Sequence, residues 1–263
     1  MGRARGPVFL LDLHTTSGPG EPFSTIMDSL PDRKFALSFP VPLIVGLGEL
    51  VEGTLLEYLA DRGVAGMVFE GGQHSEPEAV STSEAAVWIG LSGAGLIHES
   101  GFPEVAVGRK RLMAATRGLP SVFELRYRHP VAPGQEFRML QGFRSFQPVK
   151  SGQLLALDRE GNVLSPETGL LLMPLYQTQG EDGFFLIREF HPFWLTVSEI
   201  LRRLRVGRLL HWLPGIQRDP REPHRLLVDR TVARWYTLEV LHLLGYRKKL
   251  EEADRLVALR QGE

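Results

Sequence analysis

Two short apolar runs, each closed by one polar residue and then by small ones, govern what this chain can become. Residues 8–14 read Val-Phe-Leu-Leu-Asp-Leu-His before Thr15-Thr16-Ser17-Gly18, and residues 64–72 read Val-Ala-Gly-Met-Val-Phe-Glu-Gly-Gly. Runs this short, rich in branched and aromatic residues, fit strands buried in a parallel sheet better than helices. Between them "LGELVEGTLLEYLADRG" (47–63) has helical spacing, as does "AVSTSEAAVWIGLSGAGLI" (79–97) after them. Ser75 and Glu78, with Pro77 in the first turn, read as the capping box that starts the second helix. "FALSFPVPLIVG" (35–46) looks extended. Strands alternating with helices predict an α/β layer architecture.

Open α/β sheets place ligands beyond the carboxyl ends of their strands, where the loops converge on a crevice. His14 and Glu70 stand at two such ends. Asp12, two residues before His14 and so on the same strand face, can orient the imidazole. A carboxylate beside it can take a proton from water and return it to a leaving amine. The same residues also suit a structural histidine and an exposed glutamate, and spacing alone leaves both readings open. His74 and Glu76 lie close by but are accounted for by the predicted helix start. His211 and His242 sit among apolar residues and read as packing residues.

With 263 residues the chain can bury a sizeable core. Its net charge of −1 argues against nucleic acid and anionic membrane as partners. The charge is unevenly spread: residues 1–185 carry a net −6 and residues 186–263 a net +5. A solvated helix face explains the basic tail better than a nucleic-acid surface. Cysteine is absent, which rules out disulfides and thiolate zinc sites and fits a cytoplasmic location. No apolar stretch reaches the roughly 20 residues a bilayer needs, and the first six residues lack a signal-peptide core.

From about residue 119 the texture changes to short extended runs, "FELRYRH", "FRMLQGF", "GQLLALDREGNVLSPETGLLLMPLY" and "GFFLIREF", separated by turns at Pro133-Gly134, Arg159–Asn162 and Glu181–Gly183. That pattern predicts a small antiparallel sheet or barrel. From residue 191 the chain reads helical, broken at Pro214-Gly215 and by Pro220 and Pro223. The expected division is an α/β part over 1–117, a β-rich part over 118–190 and a helical extension over 191–263. Within the extension, "RRLRVGRLLHW" (202–212) suits packing against a partner or subunit, so a homo-oligomer is allowed for.

"DLHTTSG" resembles the Asp-Leu-His motif of the succinylglutamate desuccinylase/aspartoacylase family, a branch of the zinc carboxypeptidase-like fold. "GMVFEGGQHSEPEAV" is similar to that family's glutamate-bearing strand. "FRMLQGFRSFQPVKSGQLLALDREGNVLSPETGLLLMPLYQTQGEDGFF" is similar to its C-terminal β domain. The resemblance covers most of residues 8–190, in the family's order. It implies a zinc-dependent deacylase that splits an N-acyl amino acid into a carboxylate and a free amino acid. Position by position, it implies His14 as a zinc ligand and Glu70 as the general acid/base, with Asp12 behind His14. It also implies a mixed sheet of the zinc-carboxypeptidase type.

The family pattern opens with a His-x-x-Glu pair supplying two more ligands. None of the eight histidines here has a glutamate three residues on. The expectation is therefore an N-terminally incomplete catalytic domain, by a start-site or fragment effect rather than true loss, and inactivity of this chain by itself. The missing stretch also holds most of the family's substrate-binding arginines, so no substrate-binding residue is singled out. The cluster Arg109-Lys110-Arg111 is the nearest basic one in the α/β part, with nothing in the spacing to aim it.

A second reading starts in the β region, where "VKSGQLLALDREGNVLSPETGLLL" is similar to the turn-rich half of biotinyl/lipoyl carrier domains. A carrier needs a lysine at its hairpin tip, and none occurs between Lys150 and Lys248. What survives of that reading is a non-catalytic binding or structural protein that keeps the fold.

Overall fold

The computed structural model describes residues 5–48, 53–204 and 206, together with the backbone of four strands between 216 and 260. Among these residues the centre is one eight-stranded mixed sheet. Its strands are β1 (Phe9–Thr16), β2 (Phe23–Thr25), β3 (Leu43–Val45), β4 (Ala65–Gln73), β5 (Val122–Pro130), β7 (Pro148–Val149), β10 (Gly169–Leu172) and β11 (Asp182–Glu189). They lie in the order β1-β4-β2-β3-β5-β11-β10-β7, with β1 at one edge. The two apolar runs of the sequence are β1 and β4, and they pair in parallel. β2 runs antiparallel to β4, whereas β3 is parallel to both β2 and β5.

Strand periodicity divides the chemistry between the two faces of this sheet. Phe9, Leu11, Met67 and Phe69 belong to the core packed by α1 (Leu30–Ala36), α3 (Pro77–Gly93) and α4 (Pro103–Ala115). The intervening positions Asp12, His14, Val68 and Glu70 therefore project from the opposite face. There Phe23, Ile44, Phe123 and Phe146 form a second cluster with Leu172, Phe185 and Ile187 from the β-rich part. β5 joins β3 on one side and β11 on the other, so the sheet runs unbroken across the expected 117/118 boundary. The remaining β elements, β6 (Arg138–Met139), β8 (Leu154–Asp158) and β9 (Gly161–Leu164), form a separate three-stranded sheet. Asp158 caps its β8–β9 turn by accepting from the Glu160 and Gly161 amides at 2.8 and 3.0 Å. Arg159 and Glu160 occupy the tip where a carrier would need its lysine.

Local chemistry corrects three sequence readings. A proline disfavours the helical region for the residue before it, and Glu76, before Pro77, is extended at φ −95°, ψ 131°. Glu76 is thus the N-cap of α3, with no side-chain cap bond, and the expected Ser75/Glu78 box does not form. The reciprocal box belongs instead to α1. The Ser29 hydroxyl accepts from the Asp32 amide at 3.2 Å, and the Asp32 carboxylate accepts from the Ser29 amide at 3.0 Å. That cap carries Phe35 and Ala36 into a helix, so of the supposedly extended 35–46 only Leu43–Val45 is strand.

The third correction concerns the tail. Helix α5 (Phe193–Arg203) begins it as read, but the backbone of β12 (Ile216–Arg218), β13 (Arg225–Asp229), β14 (Tyr246–Glu252) and β15 (Arg255–Arg260) forms an antiparallel sheet in the order β12-β13-β15-β14. Strand pairing satisfies the backbone where helical spacing of apolar residues predicted intrahelical bonds. The packing roles read for His211 and His242, and residues 207–212 of "RRLRVGRLLHW", lie outside the described residues. Among the described residues, no helix is long and apolar enough to cross a membrane. In the 47–63 segment, α2 (Leu55–Ala60) is the helix, capped by Thr54 through the Glu57 amide at 3.1 Å.

Candidate active site

His14 and Glu70 are direct Cα partners in the parallel pairing of β1 with β4. Side by side in register, they project from the same face at the carboxyl ends of neighbouring strands. Asp12, on that face one pleat earlier, places Oδ1 3.2 Å from His14 Nε2. The imidazole is half exposed, its side chain retaining 53% of its accessible surface, so its other face is open to a ligand.

Glu70 is in a different situation. It retains 6% of its surface, and its Oε2 is buried with no hydrogen-bond partner among the described residues. Burial pushes its carboxyl up to about 7; the His14 imidazole pulls it down and the Asp12 carboxylate pushes it up. A buried acceptor left unpaired is costly, and such costs recur where a group must later bind something else.

The residues after Glu70 make this burial feasible. A Cβ on Gly71 would stand 2.6 Å from Ser83 Oγ and 3.0 Å from the Ala79 carbonyl oxygen. The glycine thus lets α3 close over the strand end, where the Thr82 hydroxyl donates to the Gly71 carbonyl. Gly72 takes φ +116°, a conformation open to glycine, and turns the chain out of the site. The Gln73 amide then donates to the Ser17 carbonyl at 3.0 Å, tying β4 to the loop that leaves β1.

That loop, residues 17–22, is the floor between the two halves of the protein. Ser17 Oγ accepts from the Tyr176 amide at 3.1 Å, and the Pro19 carbonyl accepts from the Ser145 amide at 2.9 Å. Phe23, which follows the loop, is the Cα partner of Glu70 across the antiparallel pair. Its ring meets Phe146 edge-on, centroids 6.0 Å apart. The β-rich part therefore rests directly on the face that carries His14 and Glu70.

Sequence reasoning brought Asp12, His14 and Glu70 together and missed this surrounding wall. The available signal was weak: the Gly18-Pro19-Gly20 loop, whose glycines have no room for a Cβ against Pro174 and Ser145. Arg109, part of the basic cluster, is drawn away to Glu99 at 2.6 Å and to the Ser38 carbonyl. His74 and Glu76 are exposed on the turn into α3.

A catalytic zinc takes three protein ligands and keeps one position open. At this site one imidazole is present, with its Nε2 already held by Asp12. Among the described residues no group of three or more His, Asp or Glu side chains converges to hold an ion. The described residues alone do not fit the zinc that the resemblance implies.

No protein-family profile matches the chain, and no curated protein does. Solved structures do. A succinylglutamate desuccinylase/aspartoacylase from Rhodobacter sphaeroides is 17% identical, with a TM-score of 0.49 over 69% of this chain and 58% of its own. The product-bound ectoine utilization protein EutE (DoeB) from Ruegeria pomeroyi is 16% identical, with a TM-score of 0.46 over 69% and 58%. Murine aminoacylase 3 is 13% identical, with a TM-score of 0.39 over 72% and 65%. The chain spans between 54% and 58% of the length of the first three such structures. At these identities the likeness concerns the course of the chain and assigns no activity.

Proposed function

We propose that this chain carries the proton-transfer half of an N-acyl amino acid deacylase site, with Glu70 as general acid/base. The observation that carries the reading is the in-register pair His14 and Glu70, with one Glu70 oxygen buried and unpartnered on the face that the β-rich part covers. A carboxyl near neutrality can serve in both directions. Ionised, it takes a proton from water as the water oxygen bonds to the amide carbonyl carbon. Protonated, it gives that proton to the amide nitrogen as the C–N bond breaks, releasing a carboxylate and a free amino acid. His14, oriented by Asp12, faces the reacting carbonyl side.

The test is amine release from N-acetyl, N-succinyl and longer N-acyl amino acids, with and without added zinc, by the wild type and by Glu70→Gln. Turnover that Glu70→Gln lowers by about 100-fold or more supports the reading, in line with the usual worth of a general acid/base. Cleavage of peptides alone rejects it. A second reading, a binding protein that keeps the fold, is favoured by the missing donor set. Saturable binding of these compounds without turnover under any condition selects it.

A further inference from the structure

Helix α5 is turned inside out. At about 100° per residue, Leu195, Ser198 and Arg202 share one side, and this is the side it presents to the protein. Leu195 and Ser198 are buried, and the Arg202 guanidinium donates to the buried Asp28 carboxylate at 2.8 Å and to the Asp28 carbonyl. Arg33 of α1 donates to the same carboxylate and to the Leu195 carbonyl at 3.3 Å. A buried charge-assisted network thus fixes which way the helix faces. On the opposite side stand Phe193, Val197, Ile200 and the cap residue Leu204, at intervals of four, three and four. Phe193, Ile200 and Leu204 are exposed, Leu204 retaining 70% of its surface, and Val197 is half-buried. Trp194 and Leu201 widen the stripe along one flank, the Trp194 ring meeting Phe193 edge-on at 5.5 Å. Single exposed apolar residues are ordinary, whereas a contiguous stripe on a helix that cannot roll marks a contact surface.

Whatever covers the stripe must match its spacing and its charge. Intervals of four and three are those of a helix seam, which another helix of the same spacing fills. The stripe is complementary to itself when run antiparallel. About a two-fold axis midway between Val197 and Ile200, Phe193 meets the partner's Leu204 and Val197 meets the partner's Ile200, a larger side chain against a smaller one in every layer. Charge agrees with this. Arg202 is spent inward on Asp28, and the charged residues of the remaining flank, Glu199 and Arg203, bond to each other. The outward surface therefore carries no net charge, and the two-fold sets Arg203 beside the partner's Thr196, so no like charges meet. A lipid surface calls instead for lysines and arginines free along the polar side, and both arginines of α5 are engaged.

We infer that the outward stripe of α5 is a dimer contact, packed antiparallel against α5 of a second copy of this chain, with Val197 and Ile200 at its centre. A stripe of this length covers on the order of a few hundred Å² per copy, below the roughly 800 Å² per partner of a standard stable interface. The dimer is therefore a weak one that dissociates on dilution, with a dissociation constant on the order of 10 to 100 µM.

Sedimentation equilibrium of the full chain across that concentration range reads the association, and the mass should rise from one chain to two. Ile200→Glu sets an unpaired carboxylate into both central layers and should weaken the dimer by about 100-fold or more, with the thermal midpoint of the dilute protein unchanged. Leu204→Glu acts one layer further out and should weaken it by about 10-fold, since a charge at the rim stays hydrated. The chain has no cysteine, so introduced ones report the direction of packing. A Phe193→Cys chain mixed with a Leu204→Cys chain should link by disulfide on mild oxidation far more readily than either variant links to itself. A wild type that stays monomeric throughout overturns the inference, as does Phe193→Cys linking to itself as readily as to Leu204→Cys. A fall of the dilute midpoint in Ile200→Glu overturns it too, by placing the stripe inside the chain's own fold. Monomers that sediment with phosphatidylserine vesicles would assign the stripe to a lipid surface instead.

Discussion

Glu70 should cost the fold stability that its chemistry requires. Its carboxyl is ordinarily near 4.5 and stands at about 7 in the folded protein, with desolvation the largest cause. A folded-state value raised above the unfolded one means that the folded protein binds the extra proton between those limits. Stability from this source is fully present below about pH 4.5 and is lost as pH rises through about 7. The interval from 4.5 to about 7, at about 1.36 kcal/mol for each step of one in pH, corresponds to about 3 kcal/mol. Glu70→Met keeps the volume and removes the charge, so the variant should gain on wild type by about 3 kcal/mol between pH 4.5 and pH 8, then hold that lead. Urea unfolding followed at half-unit steps of pH, in buffer containing a chelator so that the chain's own groups set the charge, measures it. The gain should rise between those two values and flatten above the upper one. A difference that does not change with pH, or a wild type more stable than Glu70→Met at pH 8, would refute the argument. His14→Ala should make wild-type Glu70 still costlier, because the imidazole lowers its carboxyl.

Asp32 joins the cap of α1 to the sheet, its Oδ1 accepting from the Gly66 amide at 2.9 Å while Oδ2 serves Ser29. Asp32→Ala strands the buried Gly66 amide and the half-buried Ser29 amide and should lose about 2 to 3 kcal/mol in urea unfolding, and Asp32→Asn, which can accept only one of them, about half. His129 stacks on Phe184 at 4.9 Å with Nε2 buried and unpartnered, and burial pushes its imidazole down against the opposing pull of Asp158. Its contribution is therefore whole above about pH 6.5 and falls as pH drops below that value; a His129→Phe variant should show a flatter acid limb of thermal midpoint against pH. Zinc should be retained at far less than one ion per chain after dialysis, since affinity comes from converging ligands. Stoichiometric metal by elemental analysis would mean that residues set aside above, His74 and Glu76 first among them, complete a site.

The strands bearing the chemistry were legible because their apolar runs had nowhere else to go: β1 and β4 are buried on the helix side and pair in register with the polar residues at their ends. Helix starts were less legible. Ser29-Leu30-Pro31-Asp32 and Ser75-Glu76-Pro77-Glu78 look alike in sequence, yet one caps reciprocally and the other does not. Both carry proline at the third place, yet Leu30 before Pro31 is the first residue of α1 whereas Glu76 before Pro77 is extended and becomes the cap, a difference the four residues do not explain. The site's wall was not legible at all. It depends on Ser145 and Tyr176 reaching the 17–22 loop, and Phe146 reaching Phe23 after it, across more than 120 residues of chain. No local period records such contacts.

The two faces of the sheet explain why fold and site can be read with such different success. On the helix face, Phe9, Leu11, Met67 and Phe69 need only apolar neighbours of suitable size, a demand that binary pattern meets. On the other face, Glu70 needs an environment dry enough to raise its carboxyl and open enough to admit a ligand. That combination is supplied by residues whose individual identities look ordinary: Phe23 opposite it, Gly71 beneath α3, and Phe146 from the β-rich part. Loosening the contact of Phe146 with Phe23 should therefore disturb the Glu70 environment, because that ring packs the β-rich part against the strand beside Glu70. Phe146→Ala tests it: a Glu70 carboxyl returning toward its ordinary value by NMR titration is the expected result, and a carboxyl still at about 7 would mean that other residues keep the site dry.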